Sequence, residues 1–298
     1  MAEFASYFAG FTGDPAFSAL VCAWVFMFGA CVASFLNVCI WRLPRGESVS
    51  RPASHCPRCN APIPWYLNIP ILSWLVLRGR CAACGGRISI RYPLVETLGG
   101  VLFLAAWAKY AFPAGFAMDP AGSPAVVPAL WLAFSGLILG TFVDIDHMYL
   151  PDRVTLGGVA AGFALSCAVP ELQHETLWWR GGMFSAIGAV SGSVALWAVG
   201  FVFSKILKRD AMGFGDVKLV AAAGAFFGPM ASFFVVVAGS MAGGLAGIVL
   251  LAAGKARIGG FREIPFGPYL AAAAVAWAFW GPPLVDAYVD FALSLSAP

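Results

Sequence analysis

Two aspartates of this 298-residue chain stand where an acid is costly. Asp144 closes an apolar run in the segment Phe142-Val-Asp-Ile-Asp146-His147, and Asp216 opens another in Met212-Gly-Phe-Gly-Asp216-Val-Lys218. An ionisable residue within or beside a membrane span is expensive and usually marks function. Two carboxyl groups held close together do not both ionise easily, so one keeps its proton. The charged one then takes a proton from water as general base, while the protonated one polarises a scissile carbonyl. The chemistry expected of Asp144 and Asp216 is therefore aspartic proteolysis. Gly213 and Gly215 would let a substrate backbone approach Asp216, or let the loop adopt a positive φ. A lone Gly-x-Gly-Asp match is weak, but one at the start of a membrane helix, with a second acid at matching depth, is much more specific.

The neighbouring polar residues read differently. Asp152 follows Pro151 and precedes an apolar run, which is the place of a helix N-cap. Asp146 either orients Asp144 or faces the cytoplasm, and His147 reads as an incidental interfacial histidine.

Four cysteines carry a second chemistry. Cys56-Pro-Arg-Cys59 and Cys81-Ala-Ala-Cys84 are two CxxC pairs with 21 residues between them. Each pair places two thiolates on one metal, and two pairs complete a tetrahedral site, with a spacing close to that of zinc ribbons. The expected metal is Zn2+ in a structural role, since four thiolates leave no open position. The competing reading is two disulfides, which the reducing cytoplasm disfavours. Cys22, Cys31, Cys39 and Cys167 lie in apolar runs and read as small hydrophobes.

The elements that hold these groups follow from composition. Residues are 60% hydrophobic and only 11% charged, against about 25% charged in soluble domains. Eleven Trp and 25 Phe suit a lipid environment with interfacial aromatics. A span needs about 20 apolar residues. Clear runs lie near 17–40, 94–112, 125–143, 154–170, 182–204 and 231–253, with shorter ones near 217–229 and 267–282. The expected fold is thus an all-α polytopic membrane protein of about eight transmembrane helices, with a small cytoplasmic zinc-binding domain between the first and second. The stretch 283–298 holds Asp286 and Asp290 and is too polar for a ninth.

Of the 18 Lys and Arg residues, all but Lys109 and Arg180 fall on one side of this topology. Short cytoplasmic loops retain positive charge, so both termini are expected outside and residues 41–93 in the cytoplasm. No basic residue precedes the first apolar run, which reads as a retained helix and not a cleaved signal. No basic stretch lies outside the loops, so no nucleic-acid partner is expected. Residues 41–93 are too few to build a stable core unaided, and the metal would supply the missing folding energy.

The chain resembles the bacterial type IV prepilin peptidases, or leader peptidase/N-methyltransferases, which are Gly-x-Gly-Asp membrane aspartic proteases. The resemblance runs over roughly 25–275. It is carried by Ser34-Phe-Leu-Asn-Val38, Arg42-Leu-Pro44, His55-Cys-Pro-Arg-Cys59 and Ile63-Pro-Trp-Tyr-Leu-Asn-Ile-Pro70. Further matches are Ser73-Trp-Leu75, Leu77-Arg-Gly79, Ile88-Ser-Ile-Arg-Tyr-Pro-Leu-Val-Glu96, both aspartate segments and Ile264-Pro-Phe-Gly-Pro-Tyr269. It implies an eight-helix inner-membrane enzyme with Asp144 and Asp216 as its catalytic pair and Cys56, Cys59, Cys81 and Cys84 as its zinc ligands. Such an enzyme cuts the leader of type IV prepilins and type II secretion pseudopilins after a glycine. It then methylates the new N-terminal residue, usually Phe, with S-adenosylmethionine (S-adenosyl-L-methionine). Membrane lipid is the remaining partner.

The implied division is 1–40 for a periplasmic N-terminus and first helix, 41–93 for the methyltransferase-associated zinc domain, and 94–298 for the membrane aspartic peptidase. Extra residues around 171–180, compared with the family, are expected on the outer side, away from the site. Arg91 and Glu96 are candidates for the S-adenosylmethionine site, against the plainer reading of a surface ion pair. No glycine-rich strand-to-helix turn is present, so a Rossmann-type methyltransferase is excluded.

Alternative readings are a peptidase without methyl transfer and an intramembrane aspartic protease with another substrate. A presenilin-like protease would carry Pro-Ala-Leu where this chain reads Pro265-Phe-Gly-Pro. A transporter would show paired inverted repeats with broken helices, and the sequence shows no such repeats.

Overall fold

The computed structural model describes residues 14–111, 123–208, 212–253 and 265–296. Residues 1–13 of the expected periplasmic terminus lie outside these. So do Arg209, Lys255, Arg257 and Arg262 of the charge pattern, and Ile264 of the last motif. The described residues are helical, with no strands beyond two isolated bridges, His55 with Pro62 and Arg80 with Arg87. The chain divides into two compact units, Met1–Leu139 and Gly140–Pro298.

In the first unit, helix α1 (Pro15–Arg42) begins where Asp14 accepts a hydrogen bond from the Ala16 N–H at 2.9 Å, with Pro15 at the first helical position. Residues 43–90 leave its end, include a five-residue helix α2 (Leu72–Val76), and lead into α3 (Arg91–Tyr110). Helices α1 and α3 meet through small residues, as lipid-embedded helices commonly do. A Cβ at Gly99 would lie 2.5 Å from the Ala33 Cβ, so the two backbones approach closely there. Helix α4 (Val126–His147) adds Trp131, whose ring stacks on Phe103 at 5.0 Å and whose indole N–H donates to the Phe103 carbonyl at 3.0 Å.

In the second unit, the end of α4 is followed by α5 (Asp152–Ala168), α6 (Trp178–Leu207), α7 (Phe214–Ala252) and α8 (Gly267–Ser296). Helix α7 packs on α5, α6 and α8. Its 39 residues contain one break, at Gly228, where φ is 84° and ψ is −177°. Pro229 follows and lacks the N–H that a helix would aim at the Ala225 carbonyl. That carbonyl instead accepts from Ser166 Oγ, Ser185 Oγ and Gln173 Nε2 at 3.1, 2.7 and 3.0 Å. Gln173 Nε2 also reaches the Phe226 carbonyl at 3.1 Å.

The eight expected apolar runs all carry helix, the runs at 217–229 and 231–253 being the two arms of α7 on either side of Gly228. Among the described residues, five helices are long and apolar enough to cross a membrane: Pro15–Arg45, Val126–His147, Trp178–Ile206, Phe214–Ala252 and Gly267–Ser294. The chain is a multi-pass membrane protein. The runs expected at 94–112 and 154–170 are not among the five. Helix α3 carries Arg91, Glu96 and Lys109, and α5 has only 17 residues. The polar stretch after 283 forms no separate element; α8 continues through Pro282 and Pro283 to Ser296.

Candidate active site and metal cluster

The chain from 144 to 150 places the first carboxylate. Asp144 lies in the last turn of α4 and is buried. The helix ends just after it. Met148 takes a left-handed φ of 51° while its N–H bonds the Asp144 carbonyl at 2.9 Å. The chain then turns inward at Leu150, which is buried and sits against Gly140 and Gly215. That contact brings the start of α7 beside the end of α4. Asp216 lies in the first turn of α7, buried, with its N–H bonded to the Gly213 carbonyl at 3.2 Å. The two carboxyl groups are near enough to interact electrostatically.

Helix α8 supplies a third part. The Gly267 N–H donates to Asp144 Oδ2 at 2.9 Å. A Cβ at position 267 would lie 2.7 Å from that same oxygen, so only glycine leaves the carboxylate where it is. An N–H can only donate, so the Asp144 oxygen that it meets is held as an acceptor. The arrangement thus offers one oriented, hydrogen-bonded carboxylate and a second buried carboxyl beside it, the two groups that a shared-proton mechanism uses.

Two readings of the surrounding residues change. Gly213 and Gly215 do not have positive φ; Gly213 is extended at φ −71° and ψ 135°. Gly215 instead provides close approach, since a Cβ there would come within 3.1 Å of the Leu150 Cβ. Asp152 is not an N-cap. Pro151 holds that position without a side-chain bond, and Asp152 is the first helical residue. Its carboxylate pairs with Lys218 Nζ at 2.5 Å, tying the start of α5 to the start of α7. Asp146 and His147 are exposed.

The segment 171–180 also does more than was expected of it. Gln173, in a short 3-10 turn (Pro170–Gln173), is buried and donates to the carbonyls at the break in α7. Nothing in the sequence near Asp144 points to Gly267, and nothing near Pro229 points to Gln173. The only available signals were the Pro-Phe-Gly-Pro motif and a polar residue in an otherwise ordinary loop.

In the first unit, Cys56, Cys59, Cys81 and Cys84 converge, with all four sulfur atoms within 4.8 Å of one another. The two halves of the cluster are built alike. After each CxxC the chain turns back through a left-handed residue, Asn60 at φ 54° and Gly85 at φ 67°. Backbone bonds close each turn: Asn60 N–H to Cys56 O at 2.9 Å and Gly85 N–H to Cys81 O at 2.9 Å. The N–H groups of Arg58 and Cys59 hold the Cys56 thiol down at about 6. At Cys59 the N–H of Ala61 acts in the same direction, but desolvation and the neighbouring sulfurs outweigh it and leave that thiol at about 11. A tetrahedron with zinc–sulfur bonds of about 2.3 Å has sulfur–sulfur edges of about 3.8 Å, and Cys56 Sγ to Cys84 Sγ measures 4.0 Å. The four cysteines fit a metal ion in number, chemistry and spacing.

Of the two candidate methyl-donor residues, Arg91 opens α3 and Glu96 lies five residues further on. Glu96 is buried, and its Oε2 accepts from the Ile71 N–H at 2.8 Å while Ser34 also bonds it. It is not half of a surface ion pair, and its oxygens are already engaged within the fold. Its place suits a clasp between helix and loop better than a group that meets a sulfonium ion.

Matches to known families fall on both units. Residues 27–110 match the bacterial peptidase A24 N-terminal domain, and residues 131–248 match the type IV leader peptidase family. A prepilin leader peptidase/N-methyltransferase of Stutzerimonas stutzeri is 34% identical over 303 residues, covering 92% of this chain and 94% of that protein. One of the same name from Aeromonas hydrophila is 36% identical, covering 89% and 92%. Another, from Myxococcus xanthus (strain DK1622), is 41% identical over 242 residues, covering 80% of this chain and 66% of that protein. No solved structure matches. The chain belongs to the type IV leader peptidase family.

Proposed function

We propose that this chain cleaves the leader peptide of type IV prepilins and type II secretion pseudopilins and then N-methylates the new N-terminal residue. The observation that carries the proteolytic half is the buried pair Asp144 and Asp216, joined at the ends of α4 and α7 with the Gly267 N–H on Asp144. In this reading Asp144 is the general base. Its Oδ2 is fixed by the amide, and its other oxygen faces the attacking water. Asp216 carries the shared proton and donates it to the scissile carbonyl oxygen as the water adds. Collapse of the tetrahedral intermediate breaks the C–N bond, and a proton passes to the leaving amine.

The membrane is the bacterial inner membrane, with both termini periplasmic and residues 41–93 cytoplasmic; the retained positive charges support that orientation. A leader with a basic segment followed by an apolar helix would then place its scissile bond at the cytoplasmic surface. Residues 94–298 form the peptidase, and 41–93 form a zinc domain that serves the methyl-transfer step. The metal is zinc, held by Cys56, Cys59, Cys81 and Cys84 in a structural role. The relatives' name includes N-methyltransferase, which calls for a methyl donor; in this reading the donor is S-adenosylmethionine, which would supply the methyl group to the amine.

The test is incubation of purified enzyme with a synthetic prepilin and labelled S-adenosylmethionine. Wild type should release the leader and label the mature pilin. Asp144→Asn and Asp216→Asn should each abolish cleavage in protein that still folds, since an amide at 144 cannot serve as the base and an amide at 216 cannot carry the shared proton. Near wild-type cleavage by either variant would remove that residue from the mechanism. Cleavage without label would leave a peptidase alone.

A further inference from the structure

The loop from α1 to α3 exposes a set of large apolar side chains that a soluble domain would bury. Trp65 is 82% exposed and Val76 77%, and Tyr66, Leu72 and Leu75 are each more than half exposed. These residues share one stretch, 63–76, and α2 shows how they are sorted. Trp74 faces inward, with its indole N–H on the Ile88 carbonyl at 3.2 Å and its ring beneath Gly79. Leu72, Leu75 and Val76 face outward.

The position of this stretch along the helices gives the exposure a meaning. Ile71 sits in its middle, and its N–H is held by Glu96 Oε2 at 2.8 Å. Glu96 is also bonded by Ser34 of α1. Glu96 lies five residues inside the start of α3 and Ser34 eight residues inside the end of α1. At about 1.5 Å per residue, Ile71 is drawn about 7–12 Å back along both helices from the ends marked by Arg91 and Arg42. An amphipathic element lying in a bilayer surface buries its apolar face by about 5–10 Å. The loop therefore folds down beside α3 and the membrane-spanning α1 to that depth.

Charge agrees with this placement. Residues 41–93 contain eight arginines and one acid, Glu47. Arg45, Arg51, Arg58, Arg78, Arg80 and Arg87 are exposed. Trp and Tyr prefer the headgroup level, and clustered basic residues beside a membrane helix bind anionic headgroups.

We infer that residues 63–76 are inserted in the bilayer surface, with Trp65, Tyr66, Leu72, Leu75 and Val76 at the headgroup–acyl boundary and the surrounding arginines on anionic headgroups. The cysteine cluster is thereby held flat against the membrane. The choice of the cytoplasmic leaflet rests on the orientation proposed above; insertion itself does not.

The experiment uses the full chain in nanodiscs of phosphatidylglycerol and phosphatidylcholine, with acyl chains brominated near the headgroup. The chain has 11 Trp, so the Trp65 signal is the difference between wild type and Trp65→Phe, with metal content showing that both are folded. Brominated chains should quench this component and aqueous iodide should not. In phosphatidylcholine alone the component should become more accessible to iodide. Quenching by iodide and not by brominated lipid overturns the inference. So does protection that appears only with two chains per disc, which assigns the surface to a second copy. Protection seen only after adding a prepilin peptide assigns it to substrate and likewise overturns it. None of these readouts depends on cleavage or methylation, so failure here leaves the enzymatic proposal standing, and the reverse also holds.

Discussion

At the scale of single residues, the carboxylate pair is held by contacts whose partners are far apart in the chain. Asp144 and Gly267 are separated by 123 positions yet meet at 2.9 Å. Gly267→Ala should push the Asp144 carboxylate aside, because the new Cβ would lie 2.7 Å from Oδ2. A displacement near 1 Å of a reacting group costs about 100-fold in rate. Prepilin cleavage by Gly267→Ala should therefore fall by about that factor while thermal unfolding shows an intact fold. A folded variant with wild-type kcat/KM would show that the Gly267 amide does not position the base. Asp152 belongs to a weaker class of contact. Its partner Lys218 is 2.5 Å away, but the Asp152 side chain is 61% exposed. Exposed pairs contribute about 0.2–1 kcal/mol, so Asp152→Ala should lower stability by no more than about 1 kcal/mol and leave cleavage largely intact. Complete loss of turnover in a folded Asp152→Ala protein would place that residue in the chemistry after all.

At the scale of elements, the break in α7 is the feature that most shapes the second unit. Gly228 and Pro229 end one helical arm and start the next, which frees carbonyls inside a lipid-embedded bundle. Three side chains from outside α7 answer them: Ser166 of α5, Ser185 of α6 and Gln173 of the intervening turn. The Phe226 carbonyl receives Gln173 Nε2 at 3.1 Å. Gln173→Leu would keep the bulk but remove that donor, and a buried unpaired carbonyl costs about 1–3 kcal/mol. Its Tm in detergent should drop accordingly, with the cysteine cluster and metal content unaffected. An unchanged Tm would mean that the two serines suffice to hold the break.

At the scale of the whole molecule, residues 43–90 contain only the five-residue α2 and two short 3-10 turns as regular structure, with isolated bridges beside the cysteine turns. Such a segment has little core, so its fold should depend on the metal. Purified protein should contain about one zinc per chain, and a strong chelator should raise amide exchange in 43–90 while leaving α5–α8 protected. A zinc content near zero with disulfides between the four cysteines would overturn this. Replacing Cys56 and Cys81 with Ser should impair methylation at least as much as cleavage, if the zinc domain serves the methyl-transfer step. Full methylation of a pre-cleaved pilin by metal-free protein would separate the two.

Much of this is legible in the sequence. Long apolar runs announce helices by composition alone, and all eight expected runs carry helix, five helices among the described residues being long and apolar enough to cross a membrane. Two CxxC pairs announce a metal cluster because each pair is a local turn, and Cys56, Cys59, Cys81 and Cys84 do converge. Asp144 and Asp216 stand out because acids beside apolar runs are rare. These signals are local or periodic, and a sequence displays such patterns directly. What only the tertiary structure decided is which distant group arrives at each of them. Gly267 reaches Asp144, Gln173 reaches the carbonyls before Pro229, Lys218 takes Asp152 away from its expected capping role, and Glu96 clasps Ile71. Each of these partners is set by how helices pack, and packing depends on the fit of whole helix faces. No spacing of residues along the chain encodes that fit by itself.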